Sequence, residues 1–168
     1  WTRKDFETFA ELYQEIQLPF WCQTRPETIN EHRVKTLKKM GVARIAFGIE
    51  HGNEKFRAKY LDRKMSNEII TEGIKTVLRE EVPVSVNNMI GFPYETRELA
   101  FDTIRLNKTF GAPEIVDNNS YPFTPFTGTP LRKLCEELGY VKETDIVNSV
   151  MSQGSLLNMP QFSGEEVD

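Results

Sequence analysis

Apolar residues along the chain alternate between short runs and helical stripes, the pattern of successive βα units on a parallel sheet. Phe6, Phe9, Tyr13 and Ile16 fall at helical spacing and predict an opening helix ended by Pro19. Phe20-Trp21-Cys22-Gln23-Thr24 then reads as a first strand. Thr28 and Glu31 have capping-box spacing before a helix through Leu37 and Met40 that stops at Gly41. A second strand spans 43–49 and ends on Glu50, and a short helix follows over 53–60. Ser66 is placed to cap a helix whose Ile69, Ile70, Ile74, Val77 and Leu78 should face inward. The third strand runs over 84–90 and breaks at Gly91-Phe92-Pro93. Thr96 opens a helix with Leu99, Thr103, Leu106 and Phe110 on one side and Gly111 after it. A fourth strand covers about 115–123. The last clear helix starts at Thr129-Pro130, carries Leu131, Leu134, Cys135 and Leu138, and closes at Gly139.

Four strands with their crossovers make half of a βα barrel or a short open sheet, because an eight-unit barrel takes roughly 250 residues. The expected architecture is therefore α/β: a partial (β/α) barrel of about four parallel strands with flanking helices, over residues 1–143. Residues 144–168 read as a C-terminal extension, since the pattern weakens there and Gly164-Glu165-Glu166 resembles a helix start. Trp1 stands where a Met would begin a gene product, so we expect an excerpt of a longer protein or a processed one.

Composition narrows the function classes. The chain has 168 residues, of which 39% are hydrophobic and 27% charged, enough for one core and a well-solvated surface. A net charge of -4 argues against a nucleic-acid or membrane surface, because a groove binder is normally basic. No apolar run reaches the roughly 20 residues of a membrane span. The two cysteines, Cys22 and Cys135, are far apart and lack the short spacing of a metal site. They read as small core residues in a reducing, cytoplasmic setting.

In parallel βα folds, ligands bind at the C-terminal ends of the strands, where loops converge. Those ends carry Gln23 and Thr24, then Glu50, then Asn87 and Asn88, then Asn118, Asn119 and Ser120. Arg25 and Arg63 lie just beyond such ends. A carboxylate accepts from an ammonium or a ribose hydroxyl, amides both donate and accept, and a guanidinium grips a carboxylate. That set suits a zwitterion that also bears hydroxyls, such as an amino acid joined to a nucleoside. The competing reading is that these groups satisfy one another and the loop backbone. His32 reads as solvated, Lys38-Lys39 as an exposed helix face, and His51 as either a buried structural group or a proton relay. Gly48, Gly52 and Gly91 look like tight strand-to-helix turns, without the glycine pattern of a phosphate loop.

Five segments occur in order on successive units: Gln23-Thr24-Arg25-Pro26-Glu27, Phe47-Gly48-Ile49-Glu50-His51-Gly52-Asn53-Glu54, Leu61-Asp62-Arg63, Asn88-Met89-Ile90-Gly91-Phe92-Pro93-Tyr94-Glu95 and Pro125-Phe126-Thr127-Gly128-Thr129-Pro130-Leu131. Over roughly residues 15–140 the chain resembles the radical S-adenosylmethionine (radical SAM) superfamily, in its Elp3/NifB-type barrel, many members of which carry a cobalamin-binding domain. The resemblance implies the later strands, third to sixth, of a six-stranded barrel. It places Gln23, Glu50 and Arg63 against the ribose and methionine part of S-adenosylmethionine (SAM), with Arg63 on the carboxylate. It places Asn87 and Met89 against ribose and adenine, and Tyr121, with Phe123 beside it, under the adenine. The turn from Gly91 to Glu95 is read as a structural cap for the next helix.

The family's CxxxCxxC motif is absent from this sequence. The resemblance thus implies a parent oxidoreductase or methyltransferase that holds a 4Fe-4S cluster on cysteines upstream of Trp1 and cleaves SAM reductively to a 5′-deoxyadenosyl radical. It further implies an electron donor such as flavodoxin or ferredoxin, cobalamin as a further cofactor in the parent, and a small-molecule substrate. The chain alone is expected to be inactive. Two alternatives stay open: an aldolase- or isomerase-like barrel piece, which wants a lysine at a strand end, and a non-catalytic interaction module. An open half-barrel with bare sheet edges is also expected to self-associate.

Overall fold

The computed structural model describes residues 2–145 and 154–168. Its centre is a four-stranded parallel sheet in the order β1 (Phe20–Thr24), β2 (Val42–Glu50), β3 (Val84–Ile90) and β4 (Val116–Pro122), so strand order follows chain order. The helices are α1 (Arg3–Tyr13), α2 (Glu31–Lys39), α3 (Glu54–Tyr60), α4 (Asn67–Arg79), α5 (Arg97–Lys108), α6 (Pro130–Glu137) and the short α7 (Gly164–Val167). This is the expected α/β partial barrel, with strands and helices alternating from α1 to α6 except that two helices, α3 and α4, lie between β2 and β3.

Local chemistry sets the boundaries. Asn53, Ser66, Thr96 and Thr129 each cap a helix by accepting a backbone N–H through the side chain. The helix before β2 is capped differently from the expectation. Asn30 accepts from the Arg33 N–H, while Thr28 sits in a 3-10 turn, Pro26–Thr28, and bonds the Arg25 carbonyl. Pro26 favours that tight turn, which moves the helix start past Thr28. Helix α1 also ends earlier than its periodicity suggested, and Ile16 lies exposed beyond it. On α4, Ile70, Ile74 and Val77 are fully buried, but Ile69 points outward and is 46% exposed.

The sheet has one covered face. Ile45, Phe47, Val84 and Val86 pack there on α4, and with Val34 and Leu37 of α2 they form the larger core. A second apolar cluster lies at the strand ends, around Phe92, Phe123 and Cys135. Leu157, Met159, Phe162 and Val167 from the C-terminal segment complete it. Residues 154–168 therefore share a core with the turn after β3. Val167 lies over Gly91, where an added Cβ would stand 3.1 Å from its methyl and where φ is +85°. The eight residues 146–153 fall outside the described part, within the expected C-terminal extension.

Candidate functional site

The other face of the sheet is polar and open. Pairing sets Gln23 beside Ala46, Ala46 beside Ser85, Ser85 beside Asp117, and Asn87 beside Asn119. Arg44 anchors this face: its guanidinium donates to the Val84 carbonyl at 2.9 Å, pairs with Asp117 at 2.5 Å, and lies 5.4 Å from the Trp21 ring. The Asn119 amide donates to Asn87 Oδ1 at 3.2 Å.

At the C-terminal end of this face lies a cavity of about 800 Å³. Glu50, Arg63, Asn87, Asn88, Met89 and Tyr121 line it, so most of the residues expected at the site do meet in one place. Gln23 does not join them. It lies on the edge strand against a separate cavity of about 580 Å³ between α1 and β1. A wider surface groove of about 1100 Å³ runs outside the sheet along α3, α4 and α5. Of the charges that line it, Arg105 pairs with Asp102, and Glu72 pairs with Arg79 of α4.

Glu50 owes its place to a local irregularity. The register with β3 slips between Gly48 and Glu50, and Glu50 adopts φ 71°, an uncommon conformation for a residue with a Cβ. Its carboxylate folds back over Gly48, where an added Cβ would lie 2.6 Å from Oε1. Gly48 is thus a strand residue that makes room for the carboxylate, not the turn expected of it. Arg63 reaches the same spot from the loop after α3. It pairs with Glu50 at 2.9 Å and donates to the Gly48 carbonyl at 2.7 Å. Burial pushes the Glu50 carboxyl above its usual range, and the charge of Arg63 opposes the shift.

Two features give this cavity a binding character. Asn88 is buried, and its amide donates to the Asn119 carbonyl while Oδ1 has no partner. A buried acceptor without a donor is costly unless something supplies one. Opposite the polar wall stand Tyr60, Phe123, Phe126 and Leu131, which fit a flat apolar group. The sequence signalled this wall through Phe123 and the segment from Pro125 to Leu131, but not Tyr60.

Beside the cavity is a buried polar cluster that sequence spacing did not reveal. Glu95 accepts from the N–H groups of Gly91 and Phe92 at 2.6 and 2.9 Å, and from His51 Nε2 at 3.0 Å. His51 Nδ1 accepts from the Asn53 N–H at 2.9 Å, which fixes Nε2 as the protonated nitrogen. Of the two readings open for His51, the structure supports the structural one, and Gly91–Glu95 is the turn cap expected of it. Arg57 is also fully buried.

A cluster of iron and sulfide does not fit the described residues. No group of His, Cys, Asp or Glu among them could hold a metal ion. Cys22 is half-buried on β1, and Cys135 is buried on α6 in the other core. Burial raises both thiols, Cys135 to about 11, whereas a metal ligand must be a thiolate.

Comparison with known proteins agrees with this fold. The model of the radical SAM superfamily matches residues 2–106. No curated protein matches the sequence. Among solved structures, coproporphyrinogen III oxidase (HemN) from Escherichia coli is similar with TM-score 0.61 and 14% identity, over 75% of this chain and 30% of that one. The radical SAM methyltransferase TsrM from Kitasatospora setae, with cobalamin and a [4Fe-4S] cluster bound, gives TM-score 0.60 and 16% identity, over 95% of this chain and 34% of that one. The archaeal Elp3 from Methanocaldococcus infernus gives TM-score 0.56 and 22% identity, over 69% and 27%. The chain spans roughly a third or less of each of these structures.

Proposed function

The chain belongs to the radical SAM superfamily, and from that premise we propose that its strand-end cavity binds SAM within a larger oxidoreductase or methyltransferase. The observation that carries this reading is the Glu50–Arg63 pair on the cavity wall, beside the unpartnered Asn88 Oδ1. Arg63 holds the methionine carboxylate through its planar fork, exchanging part of its bond to Glu50 for the ligand. Glu50 accepts from the ammonium or a ribose hydroxyl, and Asn88 Oδ1 accepts from a hydroxyl or amine that the protein leaves to the ligand. Asn87 and Met89 line the ribose side, and Tyr121 with Phe123 and Phe126 covers the adenine. Gln23 contributes from the neighbouring strand once that edge is covered.

When bound beside a reduced cluster, SAM supplies the radical chemistry of the family. The cluster's cysteines belong elsewhere in the full-length protein, and the residues described here bind and orient SAM without holding iron. A reduced flavodoxin or ferredoxin serves as electron donor, in the cytoplasm. Cobalamin joins the parent as a further cofactor, a reading favoured by the cobalamin-bound structure of the similar TsrM. The bare edges of β1 and β4 and the exposed Trp21 favour self-association of the isolated chain. Light scattering tests that, and a clean monomer would count against it.

No observation favours the aldolase reading. Lys59 lines the cavity but is exposed, and its hydrogen bond to Tyr60 raises its pKa, the reverse of what an imine-forming lysine needs. Calorimetry of SAM binding to the full-length protein tests the proposal. Arg63→Ala should weaken binding by about 1–3 kcal/mol, and unchanged affinity would remove Arg63 from its role.

A further inference from the structure

We propose that Arg57 is a positioning residue that sets Arg63 and Glu50 against each other. Arg57 lies on α3, between the two in sequence, and its side chain is fully buried. Its guanidinium donates to the carbonyl of His51, the residue after Glu50, at 2.5 Å. The same side chain donates to the carbonyl of Met65, two residues past Arg63, at 2.8 Å and to Asn67 Oδ1 at 2.9 Å. The Arg57 carbonyl accepts the Arg63 N–H at 3.1 Å. One residue therefore holds both flanks of the segment whose ends carry the pair.

The geometry asks for more than packing. Arg57 Nε is buried with no partner, a burden that a hydrocarbon of similar volume would not carry. What a hydrocarbon could not do is bridge the His51 and Met65 carbonyls with one rigid plane. Lysine could not do so either, since its single ammonium sits at the end of a flexible stem. Asn67 extends the bridge by donating to the Gly52 carbonyl at 2.9 Å. Glu50 meanwhile keeps a left-handed backbone, and its carboxylate lies over Gly48 in a space that a Cβ there would fill, so its place depends on Arg63 arriving at the right depth.

Where the ligand is concerned, the inference rests on the SAM reading above, so the test has two separate readouts in the full-length protein. The first needs no SAM: NMR titration of the Glu50 carboxyl carbon in the wild type, Arg57→Leu and Arg57→Lys. Displacing Arg63 should move the Glu50 titration to higher pH in both variants. An unchanged titration in a folded variant overturns the inference, and Arg57→Lys carries the measurement if Arg57→Leu does not fold. The second is a double-mutant cycle on SAM affinity. Arg57→Lys alone should weaken binding about tenfold or more, and should add almost nothing in an Arg63→Ala background. Fully additive losses overturn the inference. If the wild type binds no SAM, the functional reading falls, and the Glu50 titration still decides the role of Arg57.

Discussion

On the helix-covered side of the sheet, Ile45, Phe47, Val84 and Val86 have no exposed surface. On the other side, Gln23, Arg44, Asn87, Asp117 and Asn119 form a polar layer whose members bond one another or meet solvent. Both sides come from the same four strands by simple alternation. The difference teaches that this sheet was shaped to cover one face with helices and keep the other for polar contacts. A doubly wound sheet would bury apolar residues on both faces. At the strand ends of the polar face, side chains from β2, β3 and β4 line one cavity with Arg63.

Substitutions across the sheet should break that symmetry most strongly. Phe47→Ala should cost about 3–5 kcal/mol in urea denaturation, whereas Asn87→Ala, on the neighbouring strand but on the polar face, should cost less than about 1 kcal/mol. Equal losses would mean that the two faces are not distinct layers. The buried polar cluster sharpens the same point, because there burial and polarity coincide. Glu95→Ala should cost about 3 kcal/mol, since it strands His51 and two buried N–H groups at once. By contrast Asp117→Ala, which removes the partner of Arg44 at an exposed site, should cost about 0.5–1 kcal/mol. Both are read by thermal unfolding at fixed pH.

The smallest effect is expected at Glu50, with its sign reversed. Burial raises the Glu50 carboxyl in the folded protein, Arg63 notwithstanding. A carboxyl raised on folding favours the native state while protonated. That contribution is present below its ordinary value of 4.5 and is lost as pH rises through the folded value. Glu50→Gln stays neutral throughout, so it should be slightly more stable than wild type near neutral pH, by less than about 1 kcal/mol, and bind SAM more weakly. A variant less stable at pH 7 would show that the bond to Arg63 outweighs the burial of charge.

Much of this was legible beforehand for identifiable reasons. The run Phe20 to Thr24 and the run Val84 to Ile90 match their strands to the residue, because Pro19 precedes one and Gly91 follows the other. Glu50 and Asn87 could be placed at the cavity from their strand-end positions, and Met89 through the family resemblance. What stayed hidden depends on contacts distant in sequence. The Gly91–Glu95 turn was readable as a cap, but the bond from His51 to Glu95 was not, and Arg57 looks like a solvated helix charge. Arg132 is a similar case, with its guanidinium buried among the carbonyls of Pro125, Lys142 and Glu143. Gln23 differs from the others, since its strand-end position sets it against the cavity between α1 and β1.

Strand order that copies chain order also has a kinetic consequence. Each strand from β2 to β4 docks beside its immediate predecessor, so the sheet can zip from one edge without waiting for distant parts of the chain. The contact of Val167 with Gly91 breaks that locality, because it closes a long loop that contains α5, β4 and α6. Substitutions at Leu157, Phe162 or Val167 should therefore speed unfolding while leaving the refolding rate nearly untouched, whereas substitutions in Ile45 or Val86 should slow refolding.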